Sequence, residues 1–115
     1  MSLHDPLVSV LQMLNHSREA IAMVDGRCRK DLDQDRMLNL SLVRLMEIVG
    51  EAATRVPEEF RAEHAGVPWR EVSDLRNRLI HGYDSINFDI LWEIVGTDLP
   101  ILVAQLETVL SKVRE

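Results

Sequence analysis

The sequence predicts an all-α protein: an antiparallel bundle of four main helices plus a short helical turn. Aliphatic residues recur every three or four positions along most of the chain, as on one face of an α-helix. Hydrophobic residues make up 46% of the chain but aromatic residues only 4%, so the core must be aliphatic, which favours helices over sheet. No segment alternates apolar and polar residues, so no strand is expected.

The first predicted helix spans about residues 6–25. Asp5 is a good N-cap, and Pro6 suits the first helical position because its missing N–H has no partner there. Apolar residues follow at helical spacing as far as Val24. Gly26 then acts as a stop signal.

The second predicted helix carries the most regular apolar stripe in the chain. Its members are Leu38, Leu42, Leu45, Val49, Ala52 and Val56. Three acidic residues precede the stripe, where negative charge stabilises a helix start: Asp31, Asp33 and Asp35. Leu40, Val43 and Met46 lie off the stripe, so a second apolar face is available to another helix or subunit. Pro57 ends this helix.

The rest of the chain predicts a short turn and two further helices. A helical turn is expected over 58–64, and a third main helix should begin at Pro68 and stop at Gly82. Asn87 can cap a last helix reaching about residue 113. Pro100 lies inside that helix and should kink it.

Length and charge limit the possible functions. The 115 residues fit one domain spanning 1–115. The net charge of −6 argues against broad electrostatic capture of nucleic acid, and DNA is not an expected partner. Among the 13 basic residues, Arg70, Arg76 and Arg78 lie close together, and such a local patch suits selective contact with RNA.

Neither a metal nor an organic cofactor is expected. The single cysteine, Cys28, excludes an internal disulfide, and the histidines form no His-Glu-x-x-His or Cys/His cluster. The N-terminus lacks the basic and apolar regions of a secretory signal. No apolar run approaches the roughly 20 residues of a membrane span. We therefore expect a protein of the reducing cytoplasm, without membrane contact.

The stretch RNRLIHGYDS, residues 76–85, carries more polar groups than helix packing needs. On a regular helix Arg76 and His81 differ by roughly 140° in azimuth, whereas Asn77 and His81 share a face. One chain would form an awkward site from them unless the helix end is distorted near Gly82. Two copies across a two-fold axis could instead bring these groups into one cleft.

Such a cleft could cleave RNA without a metal ion. A histidine can take the proton from a ribose 2′-hydroxyl, whose oxygen then attacks the adjacent phosphate. Arginine can bind that phosphate and stabilise the charge of the transition state, and a second histidine can protonate the leaving 5′-oxygen. From spacing alone, a solvated polar helix end is the commoner origin of such a pair.

Arg76-Asn77-x-x-x-His81-x-Tyr83 resembles the Arg-x4-His-x-Tyr motif of the HEPN superfamily, in the branch of HepT-like toxins. RLMEIVGEAA (44–53) is similar to the central helix of that branch, with its Gly-Glu-Ala step. VPWREVSDLRNRLIHGY (67–83) resembles the Pro-Trp start of its motif helix. ILWEIVGTDLPILVAQL (90–106) resembles its closing helix. The resemblance covers roughly residues 40–110.

This resemblance implies an all-helical HEPN-like homodimer that cleaves RNA. Arg76 and His81 would be catalytic and Asn77 a polar aide. It also implies a partner, a minimal nucleotidyltransferase antitoxin that transfers AMP to the motif tyrosine, here Tyr83.

Two alternatives stay open. Glu47 and Glu51 lie one helical turn apart and are either a solvated face or include, in Glu51, a residue that orients Arg76. The same fold also resembles the non-catalytic substrate-binding half of two-part nucleotidyltransferases, which would hold a nucleotide or another acceptor. The presence of Arg76, His81 and Tyr83 favours the ribonuclease, whereas the net charge of −6 mildly favours the binding subunit.

Overall fold

A computed structural model of the protein describes residues 5–81 and 85–114 and confirms the all-α class. Its elements in chain order are α1 (Pro6–Met23), α2 (Asp31–Gln34), α3 (Arg36–Thr54), α4 (Glu58–Glu63), α5 (Trp69–Ser73), α6 (Leu75–Leu79), β1 (Ile80–His81), β2 (Ser85–Ile86), α7 (Phe88–Glu93), a π-helical turn (Ile94–Asp98) and α8 (Leu99–Val113). Helix α1 packs against α3 and α8, and α3 also packs against α5 and α6. Apart from Trp69, the buried core consists of aliphatic residues and methionines, as predicted.

The N-caps predicted for the first and last helices are present. The Asp5 carboxylate accepts a hydrogen bond from the Leu7 N–H at 2.9 Å. The side-chain amide oxygen of Asn87 accepts from the N–H groups of Asp89 and Ile90 at 3.0 and 3.1 Å. Each cap satisfies backbone donors that have no partner inside the helix, so these boundaries depend on local sequence.

The acidic run before the central helix does not open a single helix as predicted. Asp31 and Asp33 belong to the short helix α2, and the chain breaks at Asp35 before α3 begins. Asp35 has an extended backbone, and its carboxylate accepts from the Leu38 N–H at 3.0 Å. This hydrogen bond and the ion pair with Arg27 at 2.8 Å lower the pKa of Asp35.

The predicted motif helix is wrong in two respects. It is interrupted at Asp74, which separates α5 from α6, and it ends at Leu79 instead of Gly82. Ile80 then adopts an extended backbone, and Ile80–His81 pairs antiparallel with Ser85–Ile86. A short strand pair therefore exists where no strand was expected, because two residues are too few to produce an alternating pattern.

Helices α3 and α5 approach each other closely at Gly50. A Cβ atom added there would lie 3.2 Å from the Val72 carbonyl oxygen, tighter than ordinary van der Waals contact. Space, rather than backbone conformation, therefore favours glycine at this position. After this contact the segment from Val72 to Arg76 runs towards the N-terminal end of α3, as the position of Arg76 beside Glu47 shows.

The C-terminal helical segment contains the irregularity expected near Pro100. It takes the form of the π-helical turn Ile94–Asp98, directly before the helix that contains the proline. Proline lacks an N–H and its ring clashes with the carbonyl four residues earlier, so a change in the hydrogen-bond pattern relieves this conflict.

The expectation about apolar runs needs correction for the same segment. By length and composition alone, Phe88–Val113 could cross a membrane, because it includes a stretch with a mean hydropathy of 1.3. One such helix is weak evidence of a span, since the core helix of a bundle meets the same criterion. Leu91, Ile94, Leu99 and Leu106 of this segment are buried in the core.

Gly50→Val should destabilise the fold by about 1–3 kcal/mol, because the added side chain meets the Val72 carbonyl in a packed interface. The matched control is Gly96→Ala, where an added Cβ meets nothing within 4 Å. Urea unfolding of both variants measures the difference. Equal stability of Gly50→Val and the wild type would contradict the importance of this contact.

Candidate active site

A cavity of about 300 Å³ lies between α3 and the segment formed by α6 and the strand pair. Its lining is Arg36, Leu40, Val43, Glu47, Arg76, Leu79, Ile80 and Ile86. The volume is at the lower end of the range typical of ligand pockets. Charged groups on an apolar floor give a site that can bind an anion next to an apolar group.

Arg76 of the motif has an exposed side chain that pairs with the central helix α3. Its side chain is 68% exposed, and its Nε atom lies 3.4 Å from Glu47 Oε2. The other oxygen of Glu47 lies 3.8 Å from Arg44 Nη1, so one carboxylate stands between two guanidinium groups. Glu47 itself is 30% exposed.

The residue expected to orient Arg76 is not the one that contacts it. Glu51 lies 3.9 Å from Arg55 on its own helix, whereas Glu47, one turn earlier, pairs with Arg76. The register of the two antiparallel segments explains this difference. Val72 lies opposite Gly50, so a residue four positions later in the motif segment reaches an earlier turn of α3.

Asn77 and Arg78 point to partners outside this cavity. The Asn77 amide nitrogen donates to Asp74 Oδ1 at 2.6 Å, which ties it to the junction between α5 and α6. Arg78 donates to Asp98 of the π-helical turn at 3.2 Å. The expected basic patch is therefore divided, since one of its arginines is paired on a different side of α6.

The backbone of His81 lies in β1, beyond the end of α6. The calculated azimuth difference between Arg76 and His81, and the shared face of Asn77 and His81, therefore do not apply, because both assumed one continuous helix. The His81 side chain and the whole of Tyr83 lie outside the described residues. Arg76 and Asn77 are consecutive residues of α6, but only Arg76 lines the cavity.

Sequence reasoning missed Arg36 as a residue of this cavity. It is the first residue of α3, where a cation opposes the helix dipole, so helix stability does not account for it. That mismatch was the only signal available in the sequence. Within residues 5–81 and 85–114, no acidic side chain forms an ion pair with Arg36. In the same part of the chain, no three His, Cys, Asp or Glu side chains are grouped to hold a metal ion.

A family model described as "Ribonuclease HepT-like" matches residues 13–109. The chain belongs to the HepT-like ribonuclease family. The match begins inside α1, so it extends further towards the N-terminus than the quoted motifs do. It confirms the resemblance drawn from the sequence, and it supports a ribonuclease activity with RNA as the substrate.

Individual relatives agree with this assignment. A protein of Caldanaerobacter subterraneus subsp. tengcongensis that bears an RNase name is 39% identical over 92 residues, 80% of this chain and 82% of that protein. A Thermococcus cleftensis protein named as a HepT ribonuclease is 35% identical over 70% of this chain and 73% of its own. An RNase-named protein of Methanocaldococcus jannaschii is 31% identical over 95% of this chain and 100% of its own. No solved structure matches the chain significantly.

Proposed function

We propose that this HepT-like protein is a metal-independent endoribonuclease that acts as the toxin of a toxin–antitoxin pair. The observation that carries the proposal is the exposed Arg76 guanidinium at the cavity, in a chain of a ribonuclease family. Arg76 and His81 are the proposed catalytic residues, with Asn77 as a polar aide. The substrate, RNA, meets the protein in the cytoplasm.

The proposed reaction needs one base, one acid and one phosphate ligand. His81 removes the proton from a ribose 2′-hydroxyl, and the 2′-oxygen forms a bond to the adjacent phosphorus. The bond from phosphorus to the 5′-oxygen breaks, and an imidazolium protonates that oxygen. Arg76 binds the non-bridging phosphate oxygens, which carry extra negative charge in the transition state. The products are a cyclic phosphate and a free 5′-hydroxyl.

We also propose that the active form is a two-fold homodimer whose second copy supplies the acid. Met37, Leu40 and Ile80 are 80%, 51% and 36% exposed, and the last two line the cavity. Apolar side chains exposed in one region favour contact with a protein surface. The face available to a partner is smaller than the sequence suggested, since Met46 is buried in the core of its own chain.

The proposed partner is a minimal nucleotidyltransferase that silences the ribonuclease by transferring AMP to Tyr83. Tyr83 lies two residues after the end of β1 in the chain and three residues past Ile80, which lines the cavity. An AMP group there would add negative charge and bulk near the position of the substrate phosphate. The enzyme would lose RNA binding without dissociation of its dimer.

Arg76→Ala and His81→Ala should each lower RNA cleavage by about 100-fold or more, because each removes a group that acts in the transition state. Cleavage of an RNA oligonucleotide by purified, unmodified protein measures this, and EDTA should not alter the wild-type rate. Arg18→Ala is the matched control, since Arg18 pairs with Glu107 between α1 and α8. Inhibition by EDTA or an active His81→Ala variant would refute the mechanism. Nucleotide binding without cleavage by the wild type would favour the substrate-binding alternative.

Replacing Met37 and Leu40 together by Glu should convert the dimer to a monomer, because buried carboxylates without partners oppose association. Light scattering at micromolar concentration gives the molar mass. Ile101→Glu is the control, because Ile101 is 55% exposed on α8 yet lies outside the proposed interface. A monomeric wild type, or a double variant that stays dimeric, would contradict the proposed assembly.

Tyr83→Phe should retain RNA cleavage but escape neutralisation by the co-expressed nucleotidyltransferase, because phenylalanine has no hydroxyl to accept AMP. The intact mass of the wild-type protein should rise by one or more AMP units, and that of the variant should not. Growth with and without the partner provides the functional measurement. A variant that is still neutralised would show that the partner acts elsewhere.

A further inference from the structure

We infer that Glu47 is a positioning residue that holds the Arg76 guanidinium by its inner edge and leaves the outer edge free for the RNA phosphate. This inference rests on the proposed ribonuclease function and assigns a role to a residue outside its motif. Glu47 touches neither the phosphate nor the ribose in this scheme. Its effect on the reaction passes through Arg76.

The atoms in contact support this division of the guanidinium. Glu47 Oε2 lies 3.4 Å from Nε of Arg76, the nitrogen nearest the main chain of the arginine. An arginine has five N–H donors in a planar fork, of which four belong to the two terminal nitrogens. The ion pair with Glu47 is made through Nε, and within the described part of the chain no second acidic residue pairs with Arg76. The terminal nitrogens remain available for two parallel hydrogen bonds to a phosphate.

The exposure of Arg76 explains why an anchor matters. A long side chain that is 68% exposed loses much rotamer freedom when it binds a phosphate in one orientation. A carboxylate that restricts the guanidinium beforehand reduces this loss. It also directs the donors to where charge develops, which is the arrangement that stabilises a transition state.

The surroundings of Glu47 suit an anchor. On α3 it lies between Val43, which lines the cavity, and Gly50, which faces α5. Its side chain is only 30% exposed. Its second oxygen lies 3.8 Å from Arg44 Nη1, which restrains the carboxylate from the other side. Two guanidinium groups share one carboxylate, so the cluster keeps a net positive charge and can still attract a phosphate.

The test compares Glu47→Ala and Glu47→Gln with Glu51→Ala in unmodified protein, using an RNA oligonucleotide that the wild type cleaves. Glu47→Ala should lower kcat by about 10-fold with a smaller change in KM, because the guanidinium is displaced from its productive geometry. Glu47→Gln keeps the side-chain length and one acceptor oxygen, so it should recover part of the loss. Glu51→Ala and a remote control, Glu107→Ala, should cleave at the wild-type rate.

A second measurement detects the contact between Glu47 and Arg76 independently of RNA cleavage. The Nε–H signal of Arg76 in the NMR spectrum, assigned by its loss in Arg76→Ala, should shift in Glu47→Ala but not in Glu51→Ala. A purely structural role predicts lower thermal stability instead, yet an exposed ion pair of this kind contributes little to stability. The melting temperature of Glu47→Ala should therefore stay close to that of the wild type.

The outcomes separate this inference from the proposed function. If the wild type cleaves RNA and Glu47→Ala cleaves equally well, the anchor is refuted and the ribonuclease stands. If Glu51→Ala loses activity while Glu47→Ala does not, the orienting residue is Glu51 and the inference is again refuted. If the wild type does not cleave RNA, the proposed function fails and the positioning role of Glu47 in that reaction fails with it.

Discussion

The candidate site depends on the close contact between Gly50 of α3 and the Val72 carbonyl of α5. Because no side chain separates them, the motif segment lies directly against the central helix. The contact sets the register between α3 and the motif segment, which run antiparallel. Arg76 therefore meets Glu47, and Ile80 lines the same cavity as Val43, one turn closer to the start of α3. A change in this register by one turn would give Arg76 a different neighbour, and the cavity a different lining.

The end of the motif helix at Leu79 also determines how Arg76 and His81 are arranged. A continuous helix would hold Arg76 and His81 on different faces, which is why the sequence alone suggested that one chain forms a poor site. The strand pair Ile80–His81 with Ser85–Ile86 replaces the last helical turn. The backbone position of His81 relative to Arg76 is therefore set by the strand pair and not by helical periodicity.

The sequence predicted the elements whose causes are local, and it failed where the cause is tertiary. The starts of α1 and α7 follow from caps that bind N–H groups two or three residues away, at Asp5 and Asn87. The interruption at Asp74 and the end of the helix at Leu79 have no comparable signal. The sequence likewise could not show whether Glu47 or Glu51 contacts Arg76. Both lie on one face of α3, and only the position of α6 determines which of them Arg76 reaches.

Net charge was a weak guide to function because many carboxylates are paired away from the cavity. Asp89 and Asp33 both bind Arg29. The hydrogen bond that Arg29 donates to Asp89, followed by the one that it donates to Asp33, raises the pKa of Arg29. The described chain extends 46 × 31 × 21 Å, whereas the screening length is about 10 Å at 0.1 M salt. Charges on the far side of the bundle therefore contribute little at the cavity. The local field there comes from its own side chains, with Arg36 and Arg76 outnumbering Glu47. An acidic protein can in this way present a cationic site to one phosphate without attracting nucleic acid over its whole surface.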